Sequence, residues 1–169
     1  IPFGAPYQVT NAAVALQALR CLADNEGISE QVIQQGFARV RWKGRMQQVC
    51  PEVYFDGAHN PDGIEKFLEA AGQITAEPAI LLFSMVREKD YKCAAEFLLQ
   101  RGNWERIIIT SVPGERGRDC RTLAEVFENL AGKSQQTVKI TVIENIEEAY
   151  ARALLLKKPG QVLFCAGSL

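Results

Sequence analysis

The stretch Asp56 to Pro61, with the sequence DGAHNP, constrains the fold of this 169-residue chain more than any other feature. The run Val53 to Phe55 before it is short, apolar and aromatic, which predicts a buried strand. After it, apolar residues recur at the spacing of a helix, at Ile64, Phe67, Leu68 and Ala71. Asn60 is a suitable N-cap and Pro61 a suitable first helical residue. We therefore predict a strand, a tight turn and a helix, with a carboxylate and an imidazole in the turn.

The rest of the chain after residue 41 alternates between strand and helix patterns. Ala79 to Ser84, Arg106 to Thr110 and Val162 to Ala166 are continuous apolar runs, typical of strands buried on both faces. Val138 to Ile143 alternates with polar residues, which suits an edge strand or a half-covered strand. Strands that alternate with helices form a mainly parallel sheet. We predict an α/β, Rossmann-like domain with helices on both faces of the sheet.

One strand is expected to run against the others. Arg45 to Cys50 and Val53 to Phe55 flank the dipeptide Pro51-Glu52, and together they suggest a hairpin whose first strand is antiparallel. Two pairs have the spacing of a capping box, Thr122 with Glu125 and Asn145 with Glu148. We also expect helices to stop at Gly102 and Gly132.

The first 41 residues have no strand of their own. Residues 1–10 should be irregular, a helix from Asn11 to Ala23 is apolar on nearly every side, and a second helix is expected from Ser29 to Val40. A helix that is apolar all round is normally buried. We therefore predict two parts: a helical segment at residues 1–41, and the Rossmann-like domain at residues 42–169.

The composition excludes several classes of protein. With 47% hydrophobic and 23% charged residues, the chain resembles an ordinary globular protein, and its net charge of -1 gives no electrostatic basis for binding nucleic acid or an acidic membrane surface. The apolar runs are too short to span a bilayer, and the first residues do not resemble a signal peptide. Five scattered cysteines and a single histidine cannot form a usual zinc set. We expect buried free thiols and a location in the reducing cytoplasm.

Polar residues follow each predicted parallel strand. These residues are Asp56 and His59; Ser84, Arg87, Lys89 and Asp90; Glu115, Arg116 and Arg118; and Gly167 and Ser168. The ends of parallel strands meet at one edge of a sheet, which is where open α/β sheets bind ligands. Ordinary loop polarity is the alternative reading. Arginine and lysine suit phosphate or carboxylate groups, and a carboxylate can accept hydrogen bonds from a sugar or an ammonium group. The edge thus suits a nucleotide together with an amino acid.

Several short motifs occur in a recognisable order. The motif DGAHNP, the segment Gln8 to Ala15 (QVTNAAVA), Trp42 to Arg45 (WKGR), the pair Lys89-Asp90 and the terminal Gly167 to Leu169 together resemble folylpolyglutamate synthase and dihydrofolate synthase, relatives of the Mur peptide ligases. The phosphate loop of these ligases, G-x-x-x-x-G-K-[ST], does not occur here. The chain resembles the last third of such an enzyme, and residues 1–41 resemble a remnant of its central ATP-binding domain.

The resemblance implies a reaction and its partners. In this family ATP phosphorylates a carboxylate, and the amine of L-glutamate attacks the resulting acyl phosphate to form an amide. A protein containing this chain would then be an ATP-dependent carboxylate–amine ligase of folate metabolism that acts on folate. Whether it also acts on dihydropteroate stays open. ATP and Mg²⁺ would be bound mostly by domains outside this chain. No metal ligand is expected within it.

The resemblance also assigns roles to five residues. Arg45 matches an arginine that reaches the terminal phosphate, and Asp56 matches an aspartate that contacts the ribose. His59 and Ser168 match positions implicated in holding glutamate, and Asn11 matches an asparagine near the nucleotide base. Local structure offers an alternative for some of them: Arg45 could bridge the hairpin to an acid, and Ser168 could simply end a strand.

Other positions have no clear role or depart from the family. The pair Lys89-Asp90 could simply start a helix. Lys43 stands where the family often has proline, and the context of Arg118, GRDCR, departs from the usual Pro-Arg-Ala pattern. We therefore leave Arg118 out of the predicted site.

Two other functions stay open from the sequence. The chain could be a stand-alone Rossmann-like module that binds phosphate or an amino acid without catalysis. It could also be the last domain of another Mur-type ligase that acts on cell-wall precursors. As an excised ligase domain, the 169-residue chain is expected to fold without catalysing. Its apolar first helix should be weakly protected, or should pack on a second copy to form a homodimer.

Overall fold

The computed structural model describes residues 5–133 and 137–168, and the chain divides into two compact units at the boundary between Gln47 and Gln48. In the first unit, helix α1 spans Pro6–Glu26 and helix α2 spans Glu30–Arg39. Ser29 caps α2, because its hydroxyl accepts a hydrogen bond from the Val32 N–H. The predicted second helix is therefore confirmed, with Ser29 just before its first turn.

Helix α1 differs from the prediction at both ends, and it runs to Glu26 rather than stopping at Ala23. It begins at Pro6 rather than Asn11, because proline fits the first turn of a helix, where its missing N–H is not needed. Its apolar composition favours burial, yet the side chains of Val9, Val14 and Leu22 are 60%, 66% and 55% exposed. The origin of residues 1–41 as a remnant of another domain stays a prediction.

The second unit is built on a six-stranded sheet among the described residues. Its order is β1-β2-β6-β3-β4-β5, with bounds Gln47–Cys50 (β1), Val53–Asp56 (β2), Ala79–Ser84 (β3), Trp104–Ile109 (β4), Lys139–Val142 (β5) and Leu163–Gly167 (β6). All neighbouring strands from β2 through β6 pair in parallel. Strands β1 and β2 form a hairpin and are the antiparallel pair. The predicted α/β fold, with one antiparallel strand and β5 at an edge, is confirmed.

Four helices connect the strands of this sheet. They are α3 (Pro61–Ile74), α4 (Tyr91–Arg101), α5 (Cys120–Lys133) and α6 (Ile146–Leu156). Three of them begin as their sequences indicate, because the side chains of Asn60, Asp90 and Asn145 accept hydrogen bonds from N–H groups three residues later. The predicted cap at Asn145 is confirmed, and so is the end of α4 at Gly102.

Two predicted helix boundaries are wrong, both in α5. Its N-terminal acceptor is Asp119 rather than Thr122: the Asp119 carboxylate accepts from the Thr122 N–H at 2.9 Å and from its hydroxyl at 2.8 Å. An aspartate and a threonine can both cap, and the earlier residue does so here. Helix α5 also continues through Gly132 to Lys133, since glycine weakens a helix interior without necessarily ending it.

The apolar core lies on both faces of the sheet. On one face, Ala149 and Ala153 of α6 pack on side chains of the central strands, namely Val53, Ile80, Leu82, Ile108, Leu163 and Cys165. On the other face, Phe67 of α3 contacts Phe164, and Phe127 of α5 contacts Phe83, with ring centroids 5.7 and 5.8 Å apart. Successive residues of a strand point to opposite faces, so a strand such as β6 must be apolar throughout.

Candidate functional site

The predicted strand, turn and helix are present, and they bring Asp56 to the carboxyl end of β2. Asp56 is the last residue of the strand and only 3% exposed. The Asn60 side chain accepts a hydrogen bond from the Gly63 N–H at 2.7 Å and thereby starts α3. A Cβ at Gly63 would lie 2.9 Å from the Asn60 Oδ1, so glycine leaves room for this cap. The turn therefore connects the end of β2 directly to the capped start of α3.

The single histidine of the chain lies within this turn. The Nδ1 of His59 is 2.7 Å from the main-chain carbonyl oxygen of Gly57. Because a carbonyl can only accept, we assign the hydrogen to Nδ1. In the neutral ring Nε2 is then the acceptor nitrogen. This internal hydrogen bond sets the orientation of the half-buried imidazole.

The end of β6 lies between the ends of β2 and β3. Ala166 pairs with Asp56 on one side and with Phe83 on the other, and Gly167 pairs with Ser84. Gly167 has a φ of +104°, and a Cβ there would lie 2.0 Å from the Ser84 main-chain oxygen. Only glycine allows this backbone angle and this close approach.

Ser84 and Ser168 are joined by two hydrogen bonds across 84 positions of sequence. The Ser84 hydroxyl donates to the Ser168 carbonyl oxygen at 2.6 Å, and the Ser168 N–H donates to the Ser84 carbonyl oxygen at 3.0 Å. Ser84 is fully buried, while Ser168 is half-buried. The structure thus places Ser168 at the same sheet edge as Asp56 and His59, and Ser84 is the residue that holds it there.

Two further loops meet beside this edge, after β3 and after β4. Val86 and Gly117 form an antiparallel bridge, and the Arg87 N–H donates to the Arg116 carbonyl oxygen at 3.0 Å. The guanidinium of Arg118 lies 3.8 Å from the centre of the Tyr91 ring. No pattern in the sequence indicates this contact, because it joins the loop after β4 to the first residue of α4. Our interpretation left Arg118 out, and the structure places it next to the edge.

The pair Lys89-Asp90 has a local structural role. Asp90 is the N-cap of α4, with its side chain accepting from the Cys93 N–H at 3.1 Å. This agrees with the alternative reading that the pair starts a helix. Lys89 is half-buried in the same loop.

Arg45 and Asn11 belong to the first compact unit. The Arg45 guanidinium donates to the Gly44 carbonyl oxygen at 3.2 Å and is half-buried. Gly44 and Met46 on either side of it both have positive φ, of 65° and 46°, so the backbone there makes a tight turn. Asn11 is exposed on α1. The roles of both residues stay predictions.

Possible metal ligands and thiols are two further kinds of chemical group in the described part of the chain. The described residues contain no group of three or more histidine, cysteine or acidic side chains that could hold a metal ion. Burial raises the pKa of the Cys165 thiol to about 12, which keeps it protonated and unreactive. All five cysteines are free; Cys120 is buried as expected, whereas Cys21 and Cys50 are exposed. No helix in the described part of the chain is long and apolar enough to cross a membrane.

Comparison with known proteins identifies a family and several relatives. Residues 44–169 match the family described as Mur ligase, glutamate ligase domain. Folylpolyglutamate synthase of Lacticaseibacillus casei is 30% identical over 118 residues, which are 68% of this chain and 27% of that protein. UDP-N-acetylmuramoyl-L-alanyl-D-glutamate--2,6-diaminopimelate ligase 1 of Clostridium acetobutylicum is 28% identical over 170 residues, which are 95% of this chain and 33% of that protein.

A solved structure shares the fold. FolC of Escherichia coli in complex with DHPP and ADP matches with a TM-score of 0.78 and 26% identity, over 94% of this chain and 36% of that chain. The chain therefore spans between 27% and 36% of the length of these three proteins.

Proposed function

Because this chain belongs to the Mur ligase family, whose glutamate ligase domain it contains, we propose that it is part of an ATP-dependent ligase that adds L-glutamate to folate. The observation that carries the proposal is the shared sheet edge, where Asp56 ends β2, His59 lies in the turn after it, and Ser168 follows β6. The similarity to a folylpolyglutamate synthase supports folate as the acceptor. Dihydropteroate is the second acceptor to be tested.

The proposed reaction has two steps. First, the acceptor carboxylate takes the terminal phosphoryl group of ATP, which forms an acyl phosphate and releases ADP. Then the amine of glutamate attacks the acyl carbon, so that a C–N bond forms, the C–O bond to phosphate breaks, and the amine proton passes to solvent. Such catalysis depends on positioning and on stabilising the negative charge of the transferring group.

The residues of the second unit would serve the two substrates differently. The Asp56 carboxylate suits the ribose hydroxyls of the nucleotide, because it can only accept hydrogen bonds when ionised. His59 and Ser168 would hold glutamate. With Nδ1 engaged by the Gly57 carbonyl, the imidazole would meet glutamate through Nε2. This hydrogen bond fixes the ring before glutamate arrives and so reduces the entropy lost on binding.

Two residues of the first unit complete the proposal. Arg45 would stabilise the charge on the phosphoryl group during transfer, since a guanidinium binds phosphate oxygens in a bidentate manner. Asn11 would contact the nucleotide base.

A magnesium ion is implied by the family chemistry, and the described residues offer it no group of three or more possible side-chain ligands. Mg²⁺ prefers carboxylate and phosphate oxygens in an octahedral arrangement. No cluster of acidic side chains suited to this is present in residues 5–133 and 137–168. We therefore assign no metal ligand to this chain, and we derive no step from the ion.

A second candidate is a ligase for cell-wall precursors. The diaminopimelate ligase of Clostridium acetobutylicum is 28% identical over 95% of this chain. A binding module without catalysis is the third candidate, because a single sheet edge can bind a ligand without completing a reaction.

The test uses the full-length protein that contains this chain. It is incubated with ATP and labelled glutamate, and with folate, dihydropteroate or no acceptor in parallel reactions; a UDP-linked muramyl dipeptide with labelled diaminopimelate is the matched alternative. ATP-dependent incorporation into folate or dihydropteroate is the expected result. Incorporation of diaminopimelate alone would establish the second candidate, and no incorporation in any reaction would leave a binding module.

The 169-residue chain by itself should not catalyse. We expect no glutamate-dependent ATP hydrolysis from it, because part of a catalytic arrangement retains little of its rate. Hydrogen exchange and size-exclusion chromatography would examine α1 at the same time. Sustained hydrolysis, or an α1 as protected as the sheet in a dilute monomer, would contradict this expectation. A concentration-dependent dimer would agree with the predicted homodimer.

A further inference from the structure

The loops after β3 and β4 are joined at several points, and Arg118 provides two of the hydrogen bonds between them. Its main-chain N–H donates to the Met85 carbonyl oxygen at 3.1 Å, and its guanidinium donates to the Arg87 carbonyl oxygen through Nη2. Arg87 in turn donates from Nε to the Gly117 carbonyl oxygen at 2.9 Å. We call this set of contacts the Arg118 clasp.

The guanidinium of Arg118 is also packed against the start of α4. It lies over the Tyr91 ring at 3.8 Å from the ring centre, a distance at which the cation is attracted by the ring face. A planar guanidinium can stack on a ring and donate in its own plane at once, whereas a lysine ammonium cannot do both. The geometry therefore uses features that are specific to arginine.

The clasp is not optimised for stability alone. The Nε of Arg118 is buried and has no hydrogen-bond partner within the described residues. A buried donor without an acceptor opposes folding. Incompletely satisfied groups of this kind concentrate at sites where geometry serves function.

A short path leads from the clasp to the candidate site. Met85, which accepts from the Arg118 N–H, directly follows Ser84. Ser84 holds Ser168 by the two hydrogen bonds already described, at 2.6 and 3.0 Å. The loop that Arg118 fastens is thus continuous with the residue that places Ser168.

We propose that Arg118 is a positioning residue for glutamate: it fixes the loop after β3, so that Ser84 keeps Ser168 at the sheet edge. Arg118 itself would not touch the substrate. The inference rests on the proposed ligase function for its substrate, but the clasp can be tested without any activity.

The first experiment measures hydrogen exchange in the full-length protein that contains this chain. Arg118→Ala should accelerate exchange of the Arg87 and Ser168 amides, because both donate within the structure that the clasp orders. Arg116→Ala is the matched control, since this arginine lies in the same loop with its side chain 73% exposed in a surface ion pair. Equal exchange in Arg118→Ala and the wild type would overturn the proposal.

The second experiment measures steady-state kinetics of the same proteins. Arg118→Ala should raise the KM for glutamate on the order of 2- to 30-fold, the range for residues that affect binding without contact. The KM for ATP should stay within about twofold, and Arg116→Ala should change neither value. Arg118→Lys should behave like Arg118→Ala, and Tyr91→Phe like the wild type, because phenylalanine keeps the ring face.

The two experiments separate the possible failures. Faster exchange with an unchanged KM for glutamate would refute the positioning role. If Arg118→Ala does not fold, Tyr91→Leu is the alternative variant, because it removes the ring on which the Arg118 guanidinium packs. It should give the same changes in exchange and in the KM for glutamate. Wild-type behaviour of Tyr91→Leu would overturn the inference. A wild-type protein without ligase activity would refute the proposed function. The exchange rates would then still show whether Arg118 orders the loop after β3.

Discussion

Replacing Gly167 by alanine tests the close approach of β6 to β3. Gly167 has a φ of +104°, and an alanine Cβ would lie 2.0 Å from the Ser84 carbonyl oxygen and 3.1 Å from the Phe83 ring. The backbone angle costs a non-glycine residue about 1–3 kcal/mol, and overpacking adds about 1–3 kcal/mol. The reduced entropy of the unfolded chain offsets roughly 0.4–1 kcal/mol.

The expected net loss in the free energy of unfolding is therefore about 2–5 kcal/mol. Urea denaturation of the 169-residue chain, followed by circular dichroism, would measure it. With a urea slope of about 2 kcal/mol per molar, the middle of the usual range, the midpoint should fall by roughly 1–2.5 M. Because alanine also displaces Ser84, the same change in the full-length protein should weaken glutamate binding through Ser168.

Gly160→Ala is the matched control for this experiment. Gly160 also has a positive φ, of +77°, but a Cβ there would meet nothing within 4 Å. Gly160→Ala should therefore have the same cost for the backbone angle and the same effect on the entropy of the unfolded chain as Gly167→Ala, but no steric clash. If Gly167→Ala destabilised the chain no more than Gly160→Ala, the close approach would not be rigid, and our explanation of the glycine would be wrong.

Three further changes test the site and one helix cap. In the full-length protein, Arg45→Ala should lower kcat by on the order of 100-fold or more with an unchanged melting temperature, as expected for lost charge stabilisation; normal turnover would make Arg45 structural. His59→Ala should mainly raise the KM for glutamate, and an unaltered KM would remove it from the glutamate site. In the 169-residue chain, Asp119→Ala should lose about 0.5–2 kcal/mol of stability at pH 7 in urea denaturation, the usual loss of an N-cap. Hydrogen bonds from the Thr122 main chain, and then from its hydroxyl, lower the pKa of Asp119. The stability that Asp119 contributes is therefore present above the unfolded pKa of 3.8 and is lost as the pH falls through the folded value. Asp119→Asn cannot titrate and should reduce this pH dependence; an identical pH profile would contradict the assignment.

Local sequence was sufficient where the interacting residues are close along the chain. Asp56 to Pro61 predicted a strand end, a turn and a helix start, and Asn60 caps α3 as expected. Ala79 to Ser84 is apolar at nearly every position, and that pattern alone indicated a central strand buried on both faces. These features depend on backbone preferences and periodicity, which a short segment already contains.

Competition between nearby residues was harder to predict. Asp119 and Thr122 can both cap a helix, and only the three-dimensional structure shows that the aspartate accepts from the threonine. Similarly, Pro6 is compatible with a loop or with a first turn, and the structure places it in α1. Differences of about 1 kcal/mol separate such alternatives, and single-residue preferences are of the same size.

The sequence by itself determined that Asp56, Ser84 and Ser168 each lie at or just after the end of a parallel strand, and therefore that they share one edge of a sheet. Only the tertiary structure decided that β6, the last strand of the chain, lies between β2 and β3. That order brings Ser168 within hydrogen-bonding distance of Ser84 and makes Gly167 necessary. The physical reason is that strand pairing depends on contacts between segments far apart in the chain, and periodicity within one strand carries no information about its neighbours.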